Sequence, residues 1–340
     1  MFKTFFVTLI ASLGVSTIAF ANPENKPDFA TTKQLAEQGD AKAQYKLGKM
    51  YYNWLNMNAQ NNIKAAEWFQ KAAEQGNAEA QYMLGSMFSD GIGVKKDYTK
   101  AVEWYQKAAE QGNAEAQYKL GDMYSDGIGV KKDYTKAVEW FQKAAEQGNA
   151  AAQYMLGSMF SDGKGVKKDY TKAVEWFQKA VEQGNASAQI FLGAMYLGGK
   201  WEGVKKDEAK GVDLLKKAAG QGDALAQFLL ARVYLKGNNV IEKDEVKAAE
   251  LIEKASEQTF GKYAFVVGEA YMEGKGLEQN DEKAFKWFQK AEELGFENIG
   301  ERFEDRKELS KAKQYYGIEC DKGIQKGCDN YRRLNEQGIK

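Results

Sequence analysis

The chain contains no histidine and only two prolines and two cysteines among its 340 residues. The absence of histidine excludes histidine-based metal sites and the Ser-His-Asp type of nucleophile activation. Both prolines lie before residue 30, so every later segment can form helix without a proline break. Lysine plus arginine and aspartate plus glutamate both number 48, and this zero net charge indicates neither a nucleic-acid partner nor a charged substrate.

The first 21 residues have the pattern of an export signal. Lys3 supplies a short positive region, residues 5–20 form an apolar run, and Ala19-Phe20-Ala21 matches an A-x-A cleavage site. The run is short for a membrane-spanning helix, and no other segment is apolar enough to span a bilayer. The pattern predicts a bacterial signal peptide cleaved near Ala21, a linker over residues 22–31 and a mature protein in the periplasm or outside the cell.

A repeat of about 36 residues fills the rest of the chain. Its clearest mark is a glycine followed by Asn-Ala-x-Ala-Gln, which recurs at intervals of 36 residues at Gly76, Gly112, Gly148 and Gly184. Gly39 and Gly222 extend the series at spacings of 37 and 38. Weaker copies follow toward the C-terminus, where the last one turns at Gly323.

One unit predicts two helices, called helix A and helix B below, joined by a glycine loop. Asn77 is suited to cap a helix A from Ala78 to about Phe88. After a loop that contains two glycines, Asp97 is suited to cap a helix B from Tyr98 to about Gln111. Gly112 then stands where a left-handed residue ends a helix.

Several recurring positions are predicted to hold the fold. Small residues allow close helix packing, and in one unit these are Ala80, Gly85, Ala108 and Ala109. An invariant glutamine predicts a structural hydrogen bond between units, at Gln81, Gln117, Gln153 and Gln189. The i,i+4 spacing of Glu103 and Lys107 predicts an ion pair on the outer side of helix B.

The consensus A-x-A-Q-x-x-L-G-x-M-[FY]-x-x-G-x-G-V-x-K-D-Y-x-K-A-x-x-W-[FY]-x-K-A-A-x-x-G resembles the Sel-1-like repeat family, relatives of tetratricopeptide repeats. Residues 114–148 match it almost without gaps, and the resemblance extends over residues 32–335. It implies an all-α, right-handed superhelical solenoid of αα-hairpins, with about eight units over residues 32–340. It also implies an adaptor or scaffold that holds a protein or peptide.

Candidate binding residues are the helix A positions that the fold does not need. Tyrosine beside adaptable polar and methionine positions is typical of a peptide-binding groove. The residues are Tyr82, Met83, Ser86, Tyr118, Lys119, Asp122, Tyr154, Met155 and Ser158. Alternatively, the tyrosines serve as packing between repeats, because aromatic residues at helical spacing are often core.

Two units depart from the pattern and carry an extra tryptophan. The insert at residues 53–61 replaces the standard loop of the first unit. It is interpreted either as an N-terminal cap or as a partner-contacting edge with an exposed Trp54. Trp201 stands in the loop of a later unit, where it either binds a partner or covers neighbouring apolar surface.

The two cysteines are expected to form a disulfide. Cys320 and Cys328 would be about 12 Å apart within one straight helix, but Gly323 lies between them at a predicted helix–helix turn. The turn places them on antiparallel helices, and an even cysteine count in an exported protein favours pairing. The spacing resembles that of cysteine-rich members of the family, and the bond is interpreted as a clasp on the C-terminal end.

Some cysteine-rich relatives have been described as β-lactamase-like, and β-lactamases carry a serine–lysine motif with the nucleophilic serine. Ser161 and Lys164, and Ser310 and Lys313, fit S-x-x-K, but the chain has no K-T-G and no S-D-N. We therefore expect a non-enzymatic exported scaffold without a cofactor, which binds a protein or peptide and no nucleic acid. The alternatives are a cell-wall or β-lactam hydrolase and a dedicated toxin-neutralising or immunity partner.

Overall fold

The structure is a computed structural model that describes residues 27–52, 59–259, 261–274 and 277–339. Residues 1–168 and 169–340 form two compact units. The predicted signal peptide, residues 22–26 of the predicted linker, and Trp54 lie outside the described residues. All regular secondary structure in the described ranges is helical, in agreement with the predicted all-α class. None of the described helices combines the length and apolarity that a membrane span requires.

The described part of the first unit contains three helical hairpins, α2/α3, α4/α5 and α6/α7, with one helix before them and one after. The helices are α1 (Pro27–Glu37), α2 (Ala41–Tyr52), α3 (Ala59–Glu74), α4 (Ala78–Asp90), α5 (Tyr98–Glu110), α6 (Ala114–Asp126), α7 (Tyr134–Glu146) and α8 (Ala150–Asp162). Helix α1 takes in part of the segment assigned to a linker, and α3 takes in the end of the insert at residues 53–61.

The second unit contains the hairpins α10/α11, α12/α13, α14/α15 and α16/α17, with α9 before them and α18 after them. Its described helices are α9 (Tyr170–Glu182), α10 (Ala186–Gly198), α11 (Glu208–Gly220), α12 (Ala224–Lys236), α13 (Glu245–Glu257), α14 (Lys262–Glu273), α15 (Asp281–Glu293), α16 (Ile299–Asp305), α17 (Leu309–Asp321) and α18 (Gln325–Glu336). The short α16 takes the place of a full helix A before α17.

The helix ends are set by the predicted capping residues. Asn77 Oδ1 accepts a hydrogen bond from the Ala80 amide at 2.8 Å, and Asp97 Oδ1 accepts one from Lys100 at 3.1 Å. Each contact satisfies an amide that the first turn leaves without a partner. Gly112 adopts φ +91°, the left-handed conformation that its position at the end of α5 predicted.

Within a hairpin, a glycine on helix A faces an aromatic ring on helix B. A Cβ atom added to Gly85 would lie 2.7 Å from Tyr105 Cδ1, and one added to Gly121 would lie 2.5 Å from Phe141 Cδ1. Both rings are almost completely buried. The glycine therefore leaves the space that the ring occupies, which is the close approach that the small recurring residues predicted.

The lysine of helix B makes a different contact from the one that its spacing predicted. Lys107 Nζ lies 4.0 Å from the ring centroid of Trp104, three residues earlier, and no ion pair with Glu103 forms. A cation over a tryptophan ring gains electrostatic attraction from the ring face. Lys71 on Trp68 and Lys143 on Trp140 repeat this contact at 4.1 and 4.0 Å.

The recurring glutamine joins consecutive hairpins. Gln117 on α6 is buried; its Nε2 donates to the Ala109 carbonyl of α5 at 3.0 Å, and its Oε1 accepts from Gln147 Nε2 at 2.7 Å. The predicted structural role of this glutamine is confirmed. Equivalent pairs of contacts surround the corresponding residues at Gln44 and Gln81.

Two joints in the second unit use other chemistry at the same positions. Between α13 and α14, Ser256 replaces the alanine, and its buried Oγ accepts from the Ala264 amide at 2.9 Å. Between α17 and α18, Cys320 and Cys328 occupy the alanine and glutamine positions, and they form the predicted disulfide with Cα atoms 4.4 Å apart.

Replacing Gly121 with alanine is expected to destabilise the protein by about 1–3 kcal/mol, because the new methyl group overlaps the Phe141 ring. Alanine is otherwise the better helix former. The matched control is Gly220→Ala near the end of α11, where an added Cβ meets nothing within 4 Å; this change is expected to be neutral or stabilising by up to about 1 kcal/mol. Urea denaturation followed by circular dichroism measures both, and equal shifts would contradict the steric explanation.

Replacing Gln117 with methionine is expected to lower stability by about 1–3 kcal/mol, because a buried joint loses both of its amide contacts. Gln106→Met removes a surface contact to Glu110 instead and is expected to change stability by less than about 0.5 kcal/mol. The comparison uses urea midpoints measured under identical conditions. If the two variants unfold at the same urea concentration, the glutamine joint is not a main source of stability.

Candidate functional site

Nine of the ten predicted binding positions fall on one set of equivalent sites in the first unit. Residues 82, 83 and 86 on α4 are matched 36 residues later on α6 and again on α8. All nine of these side chains are half-buried. The surface that they form is called the helix A face. Their contribution to binding remains a prediction.

Tyr82 and Tyr118 of the helix A face each rest on a buried aromatic ring of their own hairpin. The ring centroids of Tyr82 and Tyr105 are 5.9 Å apart, and those of Tyr118 and Phe141 are 5.8 Å apart. Tyr82 and Tyr118 therefore take part in packing, and their role in binding remains a prediction. One side of the ring packs within the hairpin, and the half-buried position leaves part of the ring accessible.

Tyr45 on α2 extends this row, although the sequence interpretation did not include it. Its ring centroid lies 5.9 Å from that of Phe69 on α3, which repeats the geometry of the later hairpins. Tyr45 stands six residues after Gly39, as Tyr82 does after Gly76. The 36-residue register was therefore the signal that could have identified it.

Carboxylates surround the tyrosine hydroxyls. Asp122 lies one helical turn after Tyr118 on α6, and burial together with the nearby Asp122, Glu115 and Asp126 carboxylates raises the pKa of the Tyr118 hydroxyl above the ordinary value. The pKa of Tyr82 is raised in the same way, first by burial and then by Glu115 on the next helix A. The tyrosines therefore remain neutral hydrogen-bonding groups at physiological pH.

Asp122 is the carboxyl group among the nine residues of the helix A face, and its pKa lies above the ordinary value. Burial raises its pKa, and the nearby Asp126 adds to the effect. The Tyr118 hydroxyl and the charge of Lys119 act in the opposite direction. Tyr118, Lys119 and Asp122 on α6 thus interact with one another. The first two offset only part of the cost of ionising the Asp122 carboxyl group.

Trp201 lies in the second unit, in the loop between α10 and α11. It is half-buried and packs over the end of α10, where a Cβ added to Gly198 would lie 2.5 Å from Trp201 Cζ3. This contact is the one expected of a tryptophan that covers neighbouring surface. A role of Trp201 in binding remains a prediction.

Phe191 on α10 is an exposed aromatic residue that the sequence interpretation missed. It occupies the position of Met83 and Met155 in its repeat and is 45% exposed. Its ring stacks on the buried Phe177 of α9 with centroids 6.1 Å apart. Phe191 lies 36 residues after Met155, so the repeat register contains the signal that identifies it.

Neither serine–lysine motif has the lysine free to activate its serine. Lys164 Nζ pairs with Asp162 at 2.7 Å. Lys313 Nζ donates to the Ile339 carbonyl at 2.6 Å and to Asn335 at 3.0 Å. Among the described residues, no cluster of acidic and cysteine side chains has the arrangement of a metal site.

Tandem αα-hairpins with constant joints and a separate, variable helix A face define the class of helical-repeat scaffolds. The Sel1 repeat model matches seven segments of the chain, residues 41–77, 78–113, 114–149, 150–185, 186–223, 224–260 and 262–296. The chain therefore belongs to the Sel1 repeat family, whose members are generally non-catalytic scaffolds that bind proteins. The sequence-based count of about eight units also includes degenerate C-terminal copies beyond residue 296.

A solved structure agrees with this assignment, and a second is similar in sequence. A Sel1 repeat protein from Oxalobacter formigenes is 33% identical with a TM-score of 0.63, over 73% of this chain and 96% of that one. The protective antigen c5321 of uropathogenic Escherichia coli strains, which displays an SLR fold, is 32% identical with a TM-score of 0.49, over 94% of this chain and 76% of that one.

A curated relative matches over a short stretch only. An uncharacterized protein of Haemophilus influenzae is 55% identical over 31 residues, which is 9% of this chain. The match spans 60% of the length of that relative.

Asp122→Asn is expected to raise stability at pH 7. The folded-state pKa of Asp122 is raised, so folding is favoured while the group is protonated, and this contribution is lost as the pH rises through the folded-state pKa. The neutral asparagine removes the loss, and the advantage over the wild type should disappear below about pH 3.9, the unfolded-state pKa of aspartate. Urea midpoints at pH 7 and pH 3 test this, with Glu103→Gln as the control at an exposed carboxylate on α5. An advantage of Asp122→Asn that persists unchanged at pH 3 would contradict the explanation.

Proposed function

We propose that the protein is an exported bacterial scaffold that holds a partner protein or peptide on its helix A face, in the envelope or at the host interface. The observation that carries the proposal is the row of half-buried tyrosines on α4, α6 and α8. Two of them, Tyr82 and Tyr118, rest on the buried rings of Tyr105 and Phe141. Tyrosines held in this way offer contact area at a low entropic cost, which favours binding.

Export is supported by the N-terminal sequence. Lys3, the apolar run over residues 5–20 and the Ala19-Phe20-Ala21 site together have the order of a secretory signal. The Cys320–Cys328 disulfide is consistent with an oxidising compartment, because cytosolic thiols are kept reduced in most bacteria. A dedicated immunity partner would use the same face and differ only in having a single target.

A hydrolase has less support. The lysines of both S-x-x-K motifs are engaged by Asp162, Asn335 and a backbone carbonyl, whereas a serine nucleophile needs a base within hydrogen-bond reach. A nitrocefin assay of the purified protein, repeated with Ser161→Ala, would reverse this ranking if it gave robust turnover that the substitution abolished.

A photo-crosslinking amino acid at position 83 or 155, in the full chain with its N-terminal segment, tests the proposal in bacteria. Both positions lie on the helix A face, and we expect specific adducts that mass spectrometry identifies. The matched control places the same group at position 103, an exposed site on helix B of the same hairpin as position 83. Identical adducts from face and control, or none from the face, would contradict binding on the helix A face.

The same cultures test export. The mature product is expected to begin at Asn22 and to lie in the periplasmic or culture fraction. An N-terminus at Met1 in a cytosolic product would contradict the export part of the proposal and leave the binding part intact.

A further inference from the structure

The helices that carry the helix A face have an excess of carboxylates, although the chain as a whole is neutral. The excess begins at α4, because the preceding helix A, α2, carries three lysines and no carboxylate. Helices α4, α6 and α8 carry six carboxylates and one ammonium group. These are Glu79, Asp90, Glu115, Asp122, Asp126, Asp162 and Lys119. Helices α5 and α7, by contrast, each carry two lysines and two glutamates.

The fold makes limited use of these carboxylates. Asp90 accepts a weak hydrogen bond from Ser86 at 3.4 Å, and Glu115 accepts one from Asn149 at 2.9 Å. Some of the six carboxylates lie in the first turn of their helix and others lie at its end. Helix capping therefore does not explain the whole set. Of the six carboxylates, Asp162 alone forms an ion pair within the described part of the chain, to Lys164 in the adjacent loop.

The carboxylates and the tyrosines are neighbours rather than separate features. Glu115 and Asp122 each lie one helical turn from Tyr118 on the same side of α6, and after burial the charges of Glu115 and Asp90 also raise the pKa of Tyr82. An accessible aromatic ring next to a carboxylate offers a lysine or arginine side chain two favourable contacts, one with the ring face and one with the anion. An acidic side chain at the same place would be repelled by the carboxylates and would gain nothing from the ring.

We infer that the partner segment on the helix A face is cationic, an extended stretch of chain rich in arginine or lysine that crosses α4, α6 and α8. This inference rests on the proposed function and names the class of partner. The excess of carboxylates on these three helices sets the sign of the charge, and the tyrosine rings receive the side chains. The surplus negative charge also accelerates association at low ionic strength.

Two labelled peptides test the sign of the charge on the wild-type protein. One is a fluorescein-labelled 12-residue peptide of alternating arginine and serine, and the other replaces arginine with glutamate. Fluorescence anisotropy is expected to show binding of the arginine peptide that weakens as sodium chloride is raised, and at least tenfold weaker binding of the glutamate peptide. Equal binding of the two peptides would overturn the inference without any variant.

A charge-matched pair of variants locates the binding. The face variant combines Glu115→Gln, Asp122→Asn and Asp126→Asn, and the control combines three equivalent exposed positions of helix B, Glu67→Gln, Glu103→Gln and Glu139→Gln. Both variants lose three negative charges, so general attraction changes equally. The face variant is expected to lose roughly tenfold in affinity for the arginine peptide, and the control to stay within about twofold.

Equal losses in both variants would overturn the inference, because the peptide would then respond to net charge rather than to the helix A face. Circular dichroism of each variant verifies folding, and the two-peptide comparison on the wild type decides the sign of the charge even if a variant does not fold. If photo-crosslinking captures a partner at positions 83 and 155 while the arginine peptide does not bind, the proposed function stands and the cationic partner class is wrong.

Discussion

The repeat depends on one buried amide contact that joins consecutive hairpins. Gln117 holds the carbonyl of the preceding helix B and the glutamine at the end of the following one, so three helices meet at one side chain. Because a buried amide is costly to leave unpaired, each hairpin has one favourable position relative to the next. The Gly121–Phe141 contact sets the spacing within a hairpin, and these two contacts together determine the local geometry of a unit.

Packing uses only one side of helix A, so the other side is available for recognition. Along α6, Ala116, Gln117, Leu120 and Gly121 are buried and committed to packing. Tyr118, Lys119 and Asp122 lie between them in sequence and remain half-exposed. The same helix therefore supports the fold with one side and presents charge and aromatic surface with the other, and the second side is free to differ between repeats, as Phe191 shows on α10.

The features that the sequence predicted are those that depend on local geometry and on the 36-residue register. Asn77 and Asp97 cap their helices because capping needs only the first turn, and Gln117 recurs because the strong copies of the repeat share one kind of joint. The predicted contact of Lys107 was wrong, because helical spacing allows this side chain to reach either Glu103 or Trp104. In the structure its ammonium group lies over the Trp104 ring. The half-burial of Tyr118 depends on Phe141, more than 20 residues away, so helical periodicity alone could not separate core from surface.

The joint has three chemical forms in this chain, an amide contact at Gln117, a hydroxyl contact at Ser256 and a disulfide at Cys320. Each form is contained within a single hairpin-to-hairpin step and needs no adjustment elsewhere in the repeat. An in-frame duplication or deletion of one 36-residue segment would therefore bring its own complete joint with it. Such an array can gain or lose one repeat at a time. Evolution can therefore change the number of units on the helix A face without changing the packing within any unit.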